Sequence, residues 1–324
     1  MLRSYKKNSS GLRITLVIVA LLLITPLAAT KYAGEIFHYG MGVRNLALGS
    51  TGLTNLNSTS LAWWNPALLQ FKTENSLELM HAEEYQGLLQ YDSFSGIWGE
   101  DKKFGIVLTR IGINDIPLTT LENDTLAIGN DNRPYAYDYV NNSDLVAYFG
   151  FYQKIGSFTL GFTPKLAWRT LAKENGFGFG ADLALVTDPT KNLVAALQVR
   201  DFFTTRIFWN NGTDEAVIPN VNLETSYGFP FPVGQISMRF YLRSEILFEG
   251  REEAATYSLD PASFDFHAGL ETTLNQYFAA LFGYDIDHLT AGLAINYRQA
   301  GLIYCFEMEP ELDNSHRIAL TWRF

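Results

Sequence analysis

The sequence is short of cysteine, histidine and charge, and beyond its first thirty residues it has no long apolar run. Cys305 is the single cysteine among 324 residues, so no intrachain disulfide can form. One thiol cannot build a multi-cysteine zinc cluster either. Charged residues make up 18% of the chain, against about 25% in an ordinary soluble domain. Lys and Arg number 24 against 34 Asp and Glu, a formal charge of −10. That balance argues against a nucleic-acid partner, which calls for a basic footprint. No segment is poor enough in apolar residues to read as a long disordered tail. What the chain has instead is 23 Phe, 17 Tyr, 6 Trp and 26 Gly, at a mean hydropathy of only −0.01.

The first residues have the layout of a secretory signal. Arg3, Lys6, Lys7 and Arg13 precede the apolar run Ile14 to Leu23; Pro26 ends it, and Ala28, Ala29 and Thr30 supply small residues for cleavage. Cleavage is expected near Ala29, with no lipoprotein cysteine after the run. An uncleaved anchor helix is the rival reading. Removing residues 1–29 takes away four cations and no acid, so the formal charge moves from −10 to −14. Nothing downstream approaches the ~18 consecutive apolar residues of a membrane helix. The exported part is therefore soluble or a β-barrel.

Period-2 alternation decides between these. His316, Ile318, Leu320, Trp322 and Phe324 alternate with Arg317, Ala319, Thr321 and Arg323. Leu289, Ala291, Leu293, Ile295 and Tyr297 alternate with Thr290, Gly292, Ala294, Asn296 and Arg298. Similar runs lie around 158–168, 236–248 and 264–274. These strands reach ten or more residues, longer than the usual five or six of globular sheets. Aromatics gather at their ends, as interfacial girdles do. Hydrocarbon tolerates such strands only in a closed barrel, where every backbone group is paired. The expectation is an all-β, antiparallel transmembrane barrel of about fourteen strands. The spans are placed near 75–83, 88–99, 102–113, 143–154, 157–171, 176–188, 192–208, 217–229, 234–248, 263–274, 277–286, 288–299, 301–312 and 315–324. The division is a signal at 1–29, an N-terminal plug at 30–74 and a barrel at 75–324.

The block before the first strand has another texture. Gly42, Arg44, Ala47, Leu48, Gly49 and Gly52 fall in a Gly-rich run, followed by the box Trp64-Asn65-Pro66-Ala67. This pair resembles the opening of the PorV/PorQ family of outer-membrane proteins, relatives of the FadL-type barrels. The resemblance covers this block; the rest of the chain matches in style, including a terminal strand whose Trp322 and Phe324 resemble a barrel-assembly signal. It implies a fourteen-stranded barrel with the N-terminal segment folded inside, in the outer membrane of a bacterium. It also implies a role beside the type IX secretion machinery. The expected partners are outer-membrane lipid, the barrel-assembly machinery, and secretion subunits or exported cargo. The alternative is a FadL-type channel for small hydrophobic ligands, for which Pro164, inside an otherwise regular strand, is a candidate kink.

Chemistry is sparse. His267 shares a polar face with Asp265 and Glu271, but neighbours along one strand face are about 7 Å apart, too far for a nucleophile–base pair. The reading is a polar lumen patch, and the protein is expected not to be an enzyme. Gly176-Phe177-Gly178-Phe179-Gly180 departs from a phosphate loop in spacing and reads as an aromatic lipid-facing row. The acidic groups Glu249/Glu252/Glu253 and Asp285/Asp287 do not match a calcium loop. No catalytic, cofactor or metal residue is assigned. The lumen candidates are Lys165, Arg169, Arg239, Arg243, Glu245, His267, Glu271 and Arg298, the cations pairing with Glu245 and Glu271.

Overall fold

A computed structural model of the chain describes residues 33–190, 192–230, 236–248, 251, 255–309 and 313–324. The expected signal and the Glu249/Glu252/Glu253 cluster lie outside these residues. The strands of the first half are β1 (Ser76–Glu84), β2 (Leu89–Trp98), β3 (Phe104–Thr120), β4 (Tyr135–Ile155), β5 (Phe158–Leu171), β6 (Glu174–Thr187), β7 (Leu193–Arg200), β8 (Arg206–Trp209) and β9 (Asp214–Ala216). The second half adds β10 (Asn220–Pro230), β11 (Ile236–Leu247), β12 (Tyr257–Leu259), β13 (Ala262–Leu274), β14 (Phe278–Asp285), β15 (His288–Tyr297), β16 (Ala300–Met308) and β17 (Ser315–Arg323).

Neighbours pair antiparallel, and β17 pairs with β1, which closes the sheet. β7 pairs directly with β10, and β11 with β13. Setting aside the short β8, β9 and β12, the circuit has fourteen strands. Closure leaves the fourteen-strand circuit without an edge, which hydrocarbon requires. The outer face is apolar: Leu289, Leu293, Leu320 and Trp322 are 48–60% exposed. Charged residues on the opposite face, such as Lys165, Asp182, Glu271 and Arg317, are buried. That inversion is the signature of a wall whose solvent is lipid.

Two stretches depart from the expected spans. β3 and β4 run past the barrel to Thr120 and from Tyr135, with two compensating register shifts, so the connection is 121–134 and not 114–142. The single strand expected at 192–208 is broken. β7 ends at Arg200, the chain turns with Asp201 and Thr204 at φ 54° and 63°, and β8 then pairs with β6. Connections at the β1–β2 end include the long ones, 121–134 and 248–261, whereas the opposite end has turns such as 156–157 and 298–299. These are called the long-loop and short-turn ends below.

Residues 33–71 form α1 (Glu35–His38), α2 (Val43–Leu46), α3 (Leu61–Trp64) and a 3-10 helix, Pro66–Phe71. Their bonds reach strands all round the circuit. Ser95 on β2 donates to Ser60 at 3.0 Å, and Thr163 on β5 donates to the Ala62 carbonyl at 2.8 Å. Gln198 on β7 donates to the Trp64 carbonyl at 2.8 Å, and Thr290 on β15 donates to the Ala47 carbonyl at 3.0 Å. A segment bonded to opposite sides of a closed barrel lies within it. Met41, Leu48, Leu53, Leu61, Trp64 and Leu68 are fully buried there.

Candidate functional site: a filled lumen beside a break in the wall

The residues of the N-terminal motif each have a local reason. Gly49 has φ +66°, and a Cβ there would lie 2.5 Å from the backbone nitrogen and oxygen of Tyr284 on the wall. Gly52 lies under the Trp64 ring, with no room for a side chain. Gly42 begins α2 with φ +79°. Arg44 reaches the wall as a buried ion pair, Nη1 to Glu271 Oε1 at 2.6 Å. Trp64 Nε1 donates to the Met41 carbonyl at 2.6 Å, tying the two halves of the segment. Asn65 is extended, as a residue before proline must be. Its Oδ1 accepts from Ala67 N at 3.0 Å and its Nδ2 donates to the Leu53 carbonyl at 2.7 Å. Pro66 and Ala67 then lie against Gly161 of β5.

A second carboxylate holds the segment without any cation. Glu224 on β10 accepts from the backbone nitrogens of Gly52, Leu53 and Thr54 at 2.8, 3.0 and 2.8 Å, and from Thr54 Oγ1 at 2.6 Å. Four donors on one buried carboxylate stabilise its charge as an ion pair would. Sequence reading passed over Glu224; its place on the polar face of a strand was the available signal.

The inner segment divides the lumen. At the long-loop end lies a cavity of about 310 Å³, lined by Tyr39, Trp63, Trp64, Arg243, His267 and Asp285 among others. Burial, with Glu84 adding to it, pushes the Tyr39 phenol up to about 12, so this ring stays an uncharged wall. At the short-turn end a cavity of about 420 Å³ is bounded by Arg44, Lys72, Glu74, Glu271 and Arg323.

The lumen candidates occupy distinct places. Arg243 Nη2 lies 2.9 Å from His267 Nε2 and 3.5 Å from Glu245 Oε2. His267 Nδ1, on the other side of the ring, lies 2.7 Å from Asp285 Oδ1. Ser50 bonds Asp285 and not His267, so no nucleophile meets this base among the described residues. Glu271 takes Arg44 and the Tyr241 hydroxyl, the latter at 3.0 Å, whereas Arg239 bonds Ser226 Oγ at 3.0 Å. Arg169 pairs with Asp144 at 2.8 Å. Arg298 is a correction: the strand ends at Tyr297, residue 298 has φ 53°, and its exposed side chain lies over the Tyr297 ring at the short-turn rim and not on the inner face of a strand. Pairing is likewise corrected, since only Arg243 meets Glu245, and Lys165, Arg169 and Arg239 find other partners. Trp322 and Phe324 are exposed on the outer side of the last strand and its end.

Lys165 marks the wall's irregular region. It is fully buried, with Nζ 2.8 Å from Asp182 and 2.7 Å from Asp201. Next to it, Pro164 has no N–H to give the ladder. The β4–β5 pairing runs to Tyr148–Lys165 and resumes only at Phe151–Phe162, so Phe149 and Gly150 face Thr163 and Pro164 unpaired. Directly behind this break lies Ala62: a Cβ on Gly150 would be 2.9 Å from its Cα. One strand pair further on, β7 turns away at Asp201, leaving β6 bridged by Phe202 N to the Ala181 carbonyl at 3.2 Å. Outside stand the rings of Phe162, Phe202 and Phe203, the last half exposed.

No protein-family model and no curated protein matches the sequence. Solved structures do match in shape. The toluene transporter TbuX of Ralstonia pickettii superposes with a TM-score of 0.53 at 11% identity, over 88% of this chain and 98% of that one. The Pseudomonas putida toluene transporter TodX gives 0.54 at 11%, over the same shares. The chain has the fold of these transporters. At such identity the likeness concerns architecture alone: a closed antiparallel β-barrel.

Proposed function

We propose that this protein is an outer-membrane channel that takes small hydrophobic compounds from its long-loop cavity sideways into the bilayer, with residues 33–71 as the plug that bars the axial route. The observation that carries this reading is the missing ladder at Phe149-Gly150 and Thr163-Pro164, set against Ala62 of the inner segment. Trp63 lines the cavity and Ala62, its chain neighbour, backs the break. An apolar solute thus has a short course along the inner segment from one to the other. The lumen between the two end cavities, by contrast, is occupied by the inner segment, where Trp64, Leu61 and Leu68 are fully buried. Passage to the side suits a hydrophobic solute, since lipid is its favoured medium. The two transporters that share the fold carry toluene by their names, which supports uptake and moves it ahead of the secretion role inferred from the PorV/PorQ resemblance. Passage of this kind needs no catalytic group.

A reversible bridge tests it. Phe149 and Pro164 stand opposite each other, so Phe149→Cys with Pro164→Cys, in a Cys305→Ala background, places two thiols across the break at a separation disulfides tolerate. Uptake of naphthalene by cells, followed through its fluorescence, is expected to fall about tenfold on oxidation, of the order of a gated step, and to return with reductant. Uptake unchanged by oxidation would rule out the sideways route.

A further inference from the structure

We infer that the long-loop cavity sorts hydrophobic compounds by charge, receiving those with a protonated amine, tolerating uncharged ones and rejecting carboxylates. The inference rests on the channel reading above for why such compounds enter. Its own basis is the cavity's lining.

Three arginines line the cavity, and each is matched: Arg243 beside Glu245, Arg251 beside Asp265, and Arg317 between Glu84 and Glu307. Arg317 takes two carboxylates, so one negative charge is left over there. No arginine forms an ion pair with Asp285 or Glu309 among the described residues: Asp285 meets His267 at 2.7 Å and the Ser50 hydroxyl, and Glu309 meets His288 at 3.0 Å. Glu35 stands exposed at the mouth. Among the described lining residues there are seven carboxylates against three arginines. Even with the three lining histidines, His38, His267 and His288, counted as cations, the carboxylates stay in excess, seven against six.

The short-turn end is opposite in sign. Its cavities are lined by Arg44, Lys72, Arg239 and Arg323 against Glu74 and Glu271. The lumen therefore carries a field along its axis, negative at the loops and positive at the turns. Low-dielectric walls concentrate such fields and enrich counter-ions at the mouth by roughly 10-fold or more. An ammonium group is drawn to the rim carboxylates, while its apolar tail rests on Leu46, Tyr39 and Trp64, which line the same space. A carboxylate meets the same residues with the sign reversed.

The test uses the full chain held in a non-ionic amphipol, where neither lipid nor polymer charge competes. Labelled decanol is bound, then displaced by decylamine or by decanoate. The expected result is saturable decanol binding, with decylamine displacing it at roughly one tenth of the decanoate concentration or less. That advantage should shrink several-fold in 1 M salt, where the screening length falls to about 3 Å, and in the Glu35→Gln/Glu309→Gln variant. Equal displacement by the two ions, or a preference for decanoate, overturns charge sorting and leaves the channel reading intact. If decanol fails to bind while labelled decylamine, measured directly, still outbinds labelled decanoate, the channel reading fails and discrimination between the two ions stands. Binding of none of the three overturns both.

Discussion

The two sides of the barrel wall hold the inner segment in different ways. Around β13 to β17 the ladders are unbroken, and the segment touches them through backbone: Gly49 N donates to Thr290 Oγ1 at 3.1 Å, and Gly49 lies flush on Tyr284. One buried ion pair, Arg44 with Glu271, fastens that side. Around β4 to β8 the ladder is interrupted twice, at Pro164 and at Asp201–Thr205. There a buried three-membered charge cluster adds to the few backbone bonds that remain. The first side is an anchor. The second has the weaker backbone pairing that an opening wall requires, and buried charge sets its geometry.

Five variants sharpen the contrast. The largest effect is expected at the anchor: Arg44→Ala strands Glu271 without its cation and should cost about 3–5 kcal/mol in denaturant unfolding of the barrel. Arg44→Met with Glu271→Met should recover most of that loss, since an apolar pair leaves no buried charge. On the interrupted side, Asp201→Asn removes one charged partner of Lys165 while Asp182 remains. About 1.5–3 kcal/mol should be lost, and amide exchange should quicken in β6 to β8 and not around the whole circuit. Gly49→Ala drives a methyl into the β14 backbone, a loss of about 1–3 kcal/mol read by thermal unfolding. The smallest effect is Pro164→Val, which restores a ladder donor and should stabilise by about 1 kcal/mol while slowing naphthalene uptake. Equal responses from Asp201 and Arg44 in global unfolding would remove the distinction between the sides.

Legibility in the sequence follows the same division. Along β13 to β17, alternation at 264–274, 289–298 and 316–324 placed each strand within a few residues, because lipid on one face and a polar lumen on the other enforce period 2. Arg298 was misplaced because parity was carried through a turn, where positive φ redirects the side chain. On the interrupted side alternation misled. Leu193 to Arg200 and Arg206 to Trp209 share a β-rich texture, so the turn between them was invisible as a break. Pro164 was legible as an irregularity from its chemistry alone. The partners were not: Lys165 with Asp182 and Asp201, and Glu224 with the backbone of residues 52–54, are contacts across 17 to 172 positions. Spacing along a single strand says nothing about them. The N-terminal motif was legible as a pattern, while its reasons lie in the wall that it meets.

The most direct test of the account is to locate a solute. Crystals of the barrel soaked in 1-bromonaphthalene and measured at the bromine absorption edge report the ligand's position without prior phases. The account predicts an anomalous peak at the break, in contact with Phe149, Pro164 or Ala62. Bromine found only along the barrel axis or in the detergent belt away from β4 and β5 would contradict a sideways path.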